Sequence, residues 1–300
     1  MRLENLLALS LLFQVSISAA FARDISGELQ VANLKRHYLL HLPPRLSAAP
    51  HPLLIMLHGG MENGAVIRKL TRMNELADRE HFIVAYPYGS GVLKRKFLMW
   101  NAIDCCGYAV HKKVDDVAFV AELIDKLIAE NNVDPSRVFV CGYSNGAMLA
   151  LRLAAEIPEK LSAIASVGGS MSGKEKLPEL PVSVLMIHGT DDRHVPYEGG
   201  TGKWAKQGYP VNDKSVSYAI SFWKRADKCS ETPELSEKEH QKIETYKGKN
   251  NTEVKLITLL GARHNWPGGR KSLLYTDKSF DGLDASRESW DFFLKHPRQN

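Results

Sequence analysis

A serine lies in a short glycine-bounded pattern near the middle of the 300-residue chain, in the run Gly142-Tyr143-Ser144-Asn145-Gly146. An apolar run ends just before this pattern, and an Ala/Leu-rich stretch follows it. Ser144 therefore lies between a predicted strand and a predicted helix, which is where a nucleophile elbow exposes its hydroxyl. Glycines on both sides suit a turn too tight for a Cβ. The pattern predicts Ser144 as a nucleophile; the alternative is a serine that caps the helix.

Two loops downstream of the serine follow predicted strands, at residues 188–196 and 261–269. Loops at the carboxyl ends of strands form the site in open α/β sheets. A serine hydroxyl needs a base, and hydrolases with this elbow order their residues as Ser, acid, His. His264 in the second loop is therefore the predicted base. His188 and His194 are rivals, but they lie in the first loop, where the order requires the acid.

The first loop carries two adjacent carboxylates, Asp191 and Asp192, and either is a candidate for orienting the base. Asp192 stands three residues before Val195-Pro196, in an Asp-x-x-Val-Pro arrangement, and the preference for it rests mainly on the family resemblance described below. The other carboxylate would then cap the turn or bond to backbone.

An ester carbonyl attacked by serine develops a negative charge that two backbone N–H groups must stabilise. One is predicted to come from Asn145, at the positive end of the helix after the nucleophile. The other is predicted to come from the glycine-rich loop His58–Met61, with Gly60 preferred and Met61 as the alternative. These residues predict two-step acyl transfer without a metal or an organic cofactor, since no chelating pattern such as H-E-x-x-H is present in the sequence.

The elements that hold these loops alternate along the chain between buried strands and amphipathic helices. Short apolar runs predict strands at 52–57, 82–86, 137–143, 163–167, 182–187 and 253–260, after an opening pair of strands within 28–42. Helical spacing predicts helices at 63–80, 117–128, 145–156, 216–226 and 285–294. This alternation predicts an α/β fold, a mostly parallel sheet with helices on both faces, in one domain over residues 23–300.

Two segments have no regular apolar period. Residues 88–113 are interpreted as a long excursion from the sheet. Residues 224–255 are crowded with charges of both signs and are interpreted as a solvated face.

The composition excludes several classes of protein. Lys and Arg number 39 against 34 Asp and Glu, a formal net charge of +5, and 44% of the residues are hydrophobic. This balance of charge argues against disorder and against a nucleic-acid-binding protein, and the hydrophobic content supports a substantial buried core.

The amino terminus is predicted to be a signal peptide over residues 1–22. Arg2 provides a positive start, an apolar run follows, and Ala20-Phe21-Ala22 supplies small residues at the cleavage positions. At about 15 residues the apolar run is shorter than the ~20 residues of a membrane-spanning helix. The remaining chain is expected to be a monomer, secreted or periplasmic, outside the membrane after cleavage.

Export permits disulfides, and the chain has four cysteines. Cys141 lies in an apolar run and is predicted to be a buried free thiol. Cys105 and Cys106 are adjacent, and one of them is a candidate partner for Cys229. The sequence does not choose the pairing.

Several blocks in the same order resemble the secreted esterase family that includes polyhydroxybutyrate depolymerase-like enzymes and related feruloyl and acetylxylan esterases. The resemblance runs from about Pro52 to Phe293. Its blocks are Leu57-His58-Gly59-Gly60, Glu75-Leu76-Ala77-Asp78, Trp100-Asn101, Cys105-Cys106-Gly107, Val114-Asp115-Asp116-Val117, Ser144-Asn145-Gly146-Ala147-Met148, His188-Gly189-Thr190, Val195-Pro196-Tyr197-Glu198-Gly199-Gly200 and His264-Asn265-Trp266-Pro267-Gly268-Gly269.

The resemblance implies an α/β-hydrolase fold and a carboxylic-ester hydrolase, with Ser144 as nucleophile, Asp192 as acid and His264 as base. It also implies four residues that line the substrate cleft, with core packing as the equal alternative: Trp100, Asn101, Tyr197 and Trp266. The strand before the serine usually lacks a cysteine in this family, so Cys141 is a departure that is expected to affect packing only.

The implied substrates are feruloyl or acetyl esters of polysaccharides, or short 3-hydroxyalkanoate esters. Two other functions remain alternatives because a fold does not determine an activity. One is a serine peptidase on the same fold, and the other is a secreted binding protein without catalysis.

Overall fold

The computed structural model describes residues 21–44, 46–203, 212–270, 277 and 279–298, so residues 1–20 of the predicted signal peptide lie outside it. The strands are β1 (Arg23–Val31), β2 (Leu34–Leu42), β3 (His51–Leu57), β4 (Ile83–Pro87), β5 (Val133–Tyr143), β6 (Ala163–Val167), β7 (Ser183–Gly189), β8 (Gly200–Thr201), β9 (Asn212–Asp213), β10 (Glu234–Lys238), β11 (Gln241–Lys247) and β12 (Glu253–Leu259). The helices are α1 (Gly64–Thr71), α2 (Met73–Glu80), α3 (Gly107–His111), α4 (Asp116–Glu130), α5 (Asn145–Glu156), α6 (Val216–Ala226) and α7 (Ala285–Lys295).

The main sheet has the strand order β1-β2-β4-β3-β5-β6-β7-β12-β11-β10. Its six central strands, from β4 to β12, are parallel, and the strands at both edges are antiparallel. Because a parallel sheet must be covered on both faces, its strands are continuous apolar runs, and every residue of β3 is buried. The prediction of a mostly parallel α/β sheet is confirmed.

The hydrophobic core has two main parts, one on each face of the sheet, besides two small clusters near the segment 99–114. Alternate residues of β3 enter opposite parts, since Leu53 and Ile55 belong to one cluster and Leu54 and Met56 to the other. Helices α4, α5 and α6 supply side chains to the first cluster, and α1, α2 and α7 supply them to the second. This arrangement fixes the carboxyl ends of β3, β5, β7 and β12, which carry the candidate site.

Most predicted elements match the structure closely. The predicted bounds of β6, α5 and α6 agree with those observed, and β12 and α7 differ by one residue at an end. Residues 88–113 contain only the short helix α3 and isolated bridges such as Ser90 with Met99. No helix among the described residues is both long and apolar enough to cross a membrane.

The interpretation of 224–255 as a solvated face missed a β-hairpin. β10 pairs antiparallel with β11, and β11 with β12, so this segment extends the sheet. Every residue of β10 is exposed, so its sequence Glu-Leu-Ser-Glu-Lys has no buried face that could produce an apolar alternation.

The cysteines pair differently from the candidate arrangement. Cys105 and Cys106 bond to each other, whereas Cys141 and Cys229 are free thiols. The candidate pairing with Cys229 is wrong, because that residue lies beyond α6, next to Gly248. Cys141 is buried within β5, as the apolar run predicted.

Candidate active site

The turn between β5 and α5 forces Ser144 into an unusual backbone conformation. Its φ is 53° and its ψ is −121°, and its N–H donates to Val167 O at 2.9 Å. A Cβ on Gly142 would lie 2.2 Å from Gly146 O, and a Cβ on Gly146 would lie 2.5 Å from His58 O. Only glycine fits at these two positions, so the turn can be this sharp. Ser144 makes no side-chain capping bond to α5, contrary to the capping alternative.

Three predicted residues meet at the carboxyl edge of the sheet. His264, in the loop after β12, has Nε2 2.9 Å from Ser144 Oγ. Its Nδ1 lies 2.6 Å from Asp192 Oδ2, in the loop after β7. All three residues are buried. The structure therefore places a hydroxyl, an imidazole and a carboxylate in one hydrogen-bonded series.

Asp192 is held as an ionised carboxylate. Its Oδ1 accepts the backbone N–H groups of His194 at 2.8 Å and Val195 at 2.9 Å. Burial alone would raise its pKa, but the neighbouring His264 and His188 outweigh burial and lower the pKa to about 2. Asp191, by contrast, is exposed. Only Asp192 among these two carboxylates bonds to His264.

Two further histidines surround this carboxylate. His188 is buried and its Nε2 donates to Val195 O at 2.8 Å, while burial lowers its pKa. The His194 ring lies 4.9 Å from that of His264, and burial together with the charge of His264 lowers the pKa of His194 to about 4. Asp192, His194 and His264 have ligand atoms close enough to hold a metal ion. In this structure, however, both ring nitrogens of His264 and the Oδ2 atom of Asp192 are engaged in the hydrogen bonds described above.

The peptide between Gly59 and Gly60 is held in a fixed orientation. Gly59 O accepts the Nδ1–H of His58 at 2.7 Å and the N–H of Glu62 at 3.3 Å. Because the C=O and N–H of a trans peptide point in opposite directions, these bonds direct the Gly60 N–H away from both donors. Met61, the alternative donor, already donates its N–H to Leu98 O at 2.9 Å. The geometry therefore favours Gly60.

His58 is the residue that sequence reasoning missed in this loop. Its Nε2 accepts the N–H of Gly89 at 2.9 Å, which fixes the proton on Nδ1. Burial, with a smaller contribution from Arg36, lowers its pKa to about 3, so the ring is neutral at ordinary pH. The sequence feature that could have pointed to His58 is its position directly after β3, in the block Leu57-His58-Gly59-Gly60.

Replacing His58 by leucine is expected to lower kcat about 10- to 100-fold with little change in KM. The Gly59–Gly60 peptide would lose the shorter of the two bonds that orient it, and loss of one oxyanion donor costs up to about 10²- to 10³-fold. Steady-state kinetics on a soluble ester measures this effect. His51→Leu is the control, since His51 is equally buried but bonds Ser47 O at the start of β3. An unchanged kcat in His58→Leu would contradict the orienting role.

Glu62 is a buried carboxyl group beside the same loop. Its Oε2 accepts the Gly59 N–H at 3.0 Å, and its Oε1 has no hydrogen-bond partner among the described residues. Burial raises its pKa to about 7, against the opposing effects of the Gly59 bond and His264. This carboxyl group was not predicted, because nothing in the sequence shows that a charged residue in a loop becomes buried.

Glu62 is expected to make the stability of the protein fall as pH rises. Its pKa is about 7 in the folded protein and 4.5 without burial, so the folded state binds the proton more tightly. The resulting stabilisation is complete below pH 4.5 and is lost as pH rises through 7, a loss of up to about 3 kcal/mol. Glu62→Gln removes the ionisation and should flatten this dependence.

Urea unfolding at pH 5 and pH 8 measures the difference between wild type and Glu62→Gln. Glu122→Gln is the matched control, because Glu122 is exposed on α4. Its pH dependence should equal that of wild type. A Glu62→Gln variant with the same loss of stability as wild type would show that Glu62 is not the group responsible.

The four residues expected to line the cleft are bonded to the scaffold. Trp100 is fully buried and its Nε1 donates to His58 O at 2.9 Å, and Trp266 donates to Ser286 Oγ at 3.2 Å. Both rings are buried, which favours the packing alternative, and a role for these tryptophans in lining the cleft stays a prediction.

The two polar members of this group are half-buried. Asn101 donates its N–H to Asp116 Oδ2 at 2.7 Å and its Nδ2 to Val114 O at 2.9 Å. The Tyr197 hydroxyl bonds Thr258 Oγ1 at 2.8 Å. These bonds order the loops around the site.

Asn145 links the elbow to the loop that follows β4. Its Oδ1 accepts the Trp100 N–H at 2.7 Å, and its Nδ2 donates to Trp100 O at 3.1 Å. Its backbone N–H lies at the start of the twelve-residue helix α5, where the helix dipole is positive. The side chain is thus used for positioning, and the backbone is the part available to an oxyanion.

A sequence model of the family described as Esterase PHB depolymerase matches residues 36–194, just over half of the chain. The chain belongs to this family. The match includes the elbow serine and Asp192 and ends before His264. Membership makes the protein a carboxylic-ester hydrolase of the PHB depolymerase type.

Relatives of this chain that match it over most of its length are also named as esterases. NocK of Nocardia uniformis subsp. tsuyamanensis, a protein named as an esterase, is 30% identical over 83% of this chain and 76% of its own. Feruloyl esterase B of Piromyces equi is 26% identical over 71% of this chain, which spans 39% of that protein.

A solved structure supports the fold. The esterase chain aligns with the acetyl xylan esterase from Aspergillus awamori with a TM-score of 0.62, covering 90% of this chain and 99% of the other. The two sequences are 14% identical, so the likeness concerns the fold alone. The predicted α/β-hydrolase fold is confirmed.

Proposed function

We propose that this PHB depolymerase-type esterase hydrolyses its substrates by two-step acyl transfer through Ser144. The observation that carries this proposal is the continuous hydrogen-bonded series of Ser144 Oγ, the His264 ring and Asp192 Oδ2, with distances of 2.9 and 2.6 Å. A serine, an oriented imidazole and an ionised carboxylate are the parts that nucleophilic ester cleavage needs.

In the first step, Ser144 Oγ attacks the ester carbonyl carbon and His264 Nε2 takes the hydroxyl proton. Asp192 holds Nδ1–H and stabilises the positive imidazolium that forms. The tetrahedral intermediate collapses as His264 returns the proton to the departing alcohol. In the second step, His264 accepts a proton from water, which attacks the acyl-serine carbonyl. The bond between the acyl carbon and Ser144 Oγ then breaks, His264 returns the proton to Ser144 Oγ, and the acid is released.

The negative oxygen of each intermediate would be stabilised by the backbone N–H groups of Asn145 and Gly60. The positive end of α5 favours charge at the first, and the bonds to Gly59 O orient the second. Donors that are already oriented do not reorganise during the reaction, which is why such sites lower the barrier.

The substrate class we propose is esters of polysaccharides, of the feruloyl or acetyl kind, or short 3-hydroxyalkanoate esters. The family description and the feruloyl esterase relative support this range. We further propose that residues 23–300 form one catalytic domain that is exported after removal of residues 1–22, with the short apolar run at the amino terminus as support.

The proposal is tested by the rates at which the protein of residues 23–300 hydrolyses matched acetyl, butyryl, 3-hydroxybutyryl and feruloyl esters. The Ser144→Ala variant of the same protein is measured in parallel. A preference for feruloyl or acetyl groups supports polysaccharide esters, and a hydroxybutyryl preference supports the hydroxyalkanoate class. Amides of the same acyl groups are measured as well, because a serine peptidase would hydrolyse them. Faster amide than ester hydrolysis, or no ester hydrolysis, would overturn the proposal.

A further inference from the structure

An open groove lies beside the loop that follows β4. Its cavity measures about 670 Å³, and its lining includes the start of β2, residues 88–98 and part of α3. It contains neither the elbow serine nor the residues bonded to it. The groove is therefore a feature separate from the hydrogen-bonded series.

Positive charge dominates this groove. Its exposed cations are Lys35, Lys94, Arg95 and Lys112, against the single carboxylate of Glu28. Glu28 pairs with Lys35 at 2.7 Å and lies 3.9 Å from Arg95. Lys94 and Lys112 form no ion pair with any residue that the structure describes. The groove thus holds ammonium groups available to an anionic ligand.

His37 also lines the groove, with its Nδ1 3.1 Å from Glu28 Oε1. Burial lowers the pKa of His37, and the nearby positive charges of Arg95, Lys35 and Lys94 lower it further against the opposing effect of Glu28. A ligand that brings negative charge would relieve this repulsion among the cations.

The groove and the elbow serine share one edge of the sheet. β2 runs antiparallel to β4, with Tyr38 opposite Pro87, so the start of β2 lies at the carboxyl edge. β2 is three positions from β5 in the sheet, a distance of about 15 Å at the usual strand spacing. Leu98 lines the groove, and Met99 packs against Gly60. A chain of a few units is long enough to span this distance.

We propose that this groove is a subsite for the carboxylate groups of an acidic, uronate-containing sugar chain whose ester reaches Ser144. The inference rests on the proposed ester hydrolysis. Carboxylates form charge-assisted hydrogen bonds with ammonium and guanidinium groups. Several cations in an open groove suit a chain with repeated carboxylates, and the half-buried rings of Tyr88 and Tyr108 also line the groove.

Calorimetric titration of residues 23–300 with tetragalacturonate, xylotetraose and a 3-hydroxybutyrate trimer tests the subsite. Tetragalacturonate should bind, and it should bind more tightly than the neutral xylotetraose. The double variant Lys94→Gln/Lys112→Gln should weaken that binding about tenfold or more. Lys176→Gln/Lys249→Gln removes the same charge from exposed positions elsewhere and should change binding less than twofold.

Equal binding of the two sugars, or an equal loss in both double variants, would overturn the subsite. Binding of the hydroxybutyrate trimer without binding of tetragalacturonate would overturn the sugar assignment. Tighter binding of a short single-stranded DNA would do the same, by identifying a general polyanion surface.

Hydrolysis of 4-nitrophenyl acetate separates the two proposals, because this small neutral ester does not reach the groove. Its rate should be the same in wild type and Lys94→Gln/Lys112→Gln. Uronate binding without ester hydrolysis would refute the proposed function and leave the groove as a binding site. Ester hydrolysis without uronate binding would refute the groove alone.

Discussion

Replacing Ser144 by alanine is expected to lower kcat/KM on esters by about 10⁵- to 10⁶-fold. The substitution removes only the hydroxyl group, which is hydrogen-bonded to His264 Nε2 at 2.9 Å. Binding and the two backbone N–H groups would leave a small residual rate above that in water. Progress curves at high enzyme concentration, on the ester that wild type hydrolyses fastest, measure the residual rate.

The loss in Ser144→Ala must not come from unfolding. Alanine tolerates the same turn as poorly as serine, so the strain at φ 53° is unchanged and stability should differ little. Ser289→Ala is the control, because Ser289 in α7 is also buried, and among the described residues its hydroxyl bonds Ala285 O and the Cys141 thiol. It should keep the wild-type rate. Retention of the wild-type rate in folded Ser144→Ala would remove the nucleophile assignment.

The second large effect is expected from Asp192→Asn, about 10⁴-fold in kcat. An amide cannot provide the negative charge that stabilises the imidazolium, and its NH₂ group favours the wrong tautomer of His264. Because the pKa of Asp192 is about 2, the carboxylate is ionised at every ordinary working pH. The loss therefore does not come from protonation of Asp192 at either pH 6 or pH 8.

Asp191→Asn is the control for this substitution, since it changes the same group one position earlier. Asp191 is exposed and uses its backbone N–H to bond Ala262 O at 3.0 Å. Its kcat should stay within about twofold of wild type. If Asp191→Asn lost more activity than Asp192→Asn, the acid would have to be reassigned to Asp191.

The sequence predicted the central sheet well because parallel strands buried on both faces are continuous apolar runs. These runs also located the elbow, because a glycine-bounded serine between a buried strand and an Ala/Leu-rich helix is typical of a nucleophile elbow. His264 and the loop of the acid followed from chain order and from the strand ends, whereas Asp192 was preferred to Asp191 mainly on the family resemblance. The structure brings these side chains within hydrogen-bond distance.

What the sequence missed depends on burial and on long-range contact. Trp100 and Trp266 are aromatic in loops near the site, and nothing in their spacing tells a cleft wall from a buried support. His58 and Glu62 act through hydrogen bonds to a single peptide, which leave no periodic pattern. The hairpin of β10 and β11 was missed because its outer strand has no buried face.

Covalent labelling of Ser144 tests the central proposal most directly. Residues 23–300 would be treated with a fluorophosphonate, and the mass of the intact protein and of its proteolytic peptides would be measured. We expect one adduct per chain, on the peptide that contains Ser144, with ester hydrolysis lost in proportion to labelling and no adduct on Ser144→Ala. An adduct on another residue that abolishes activity, or full activity in protein labelled at Ser144, would contradict a mechanism that acts through this serine.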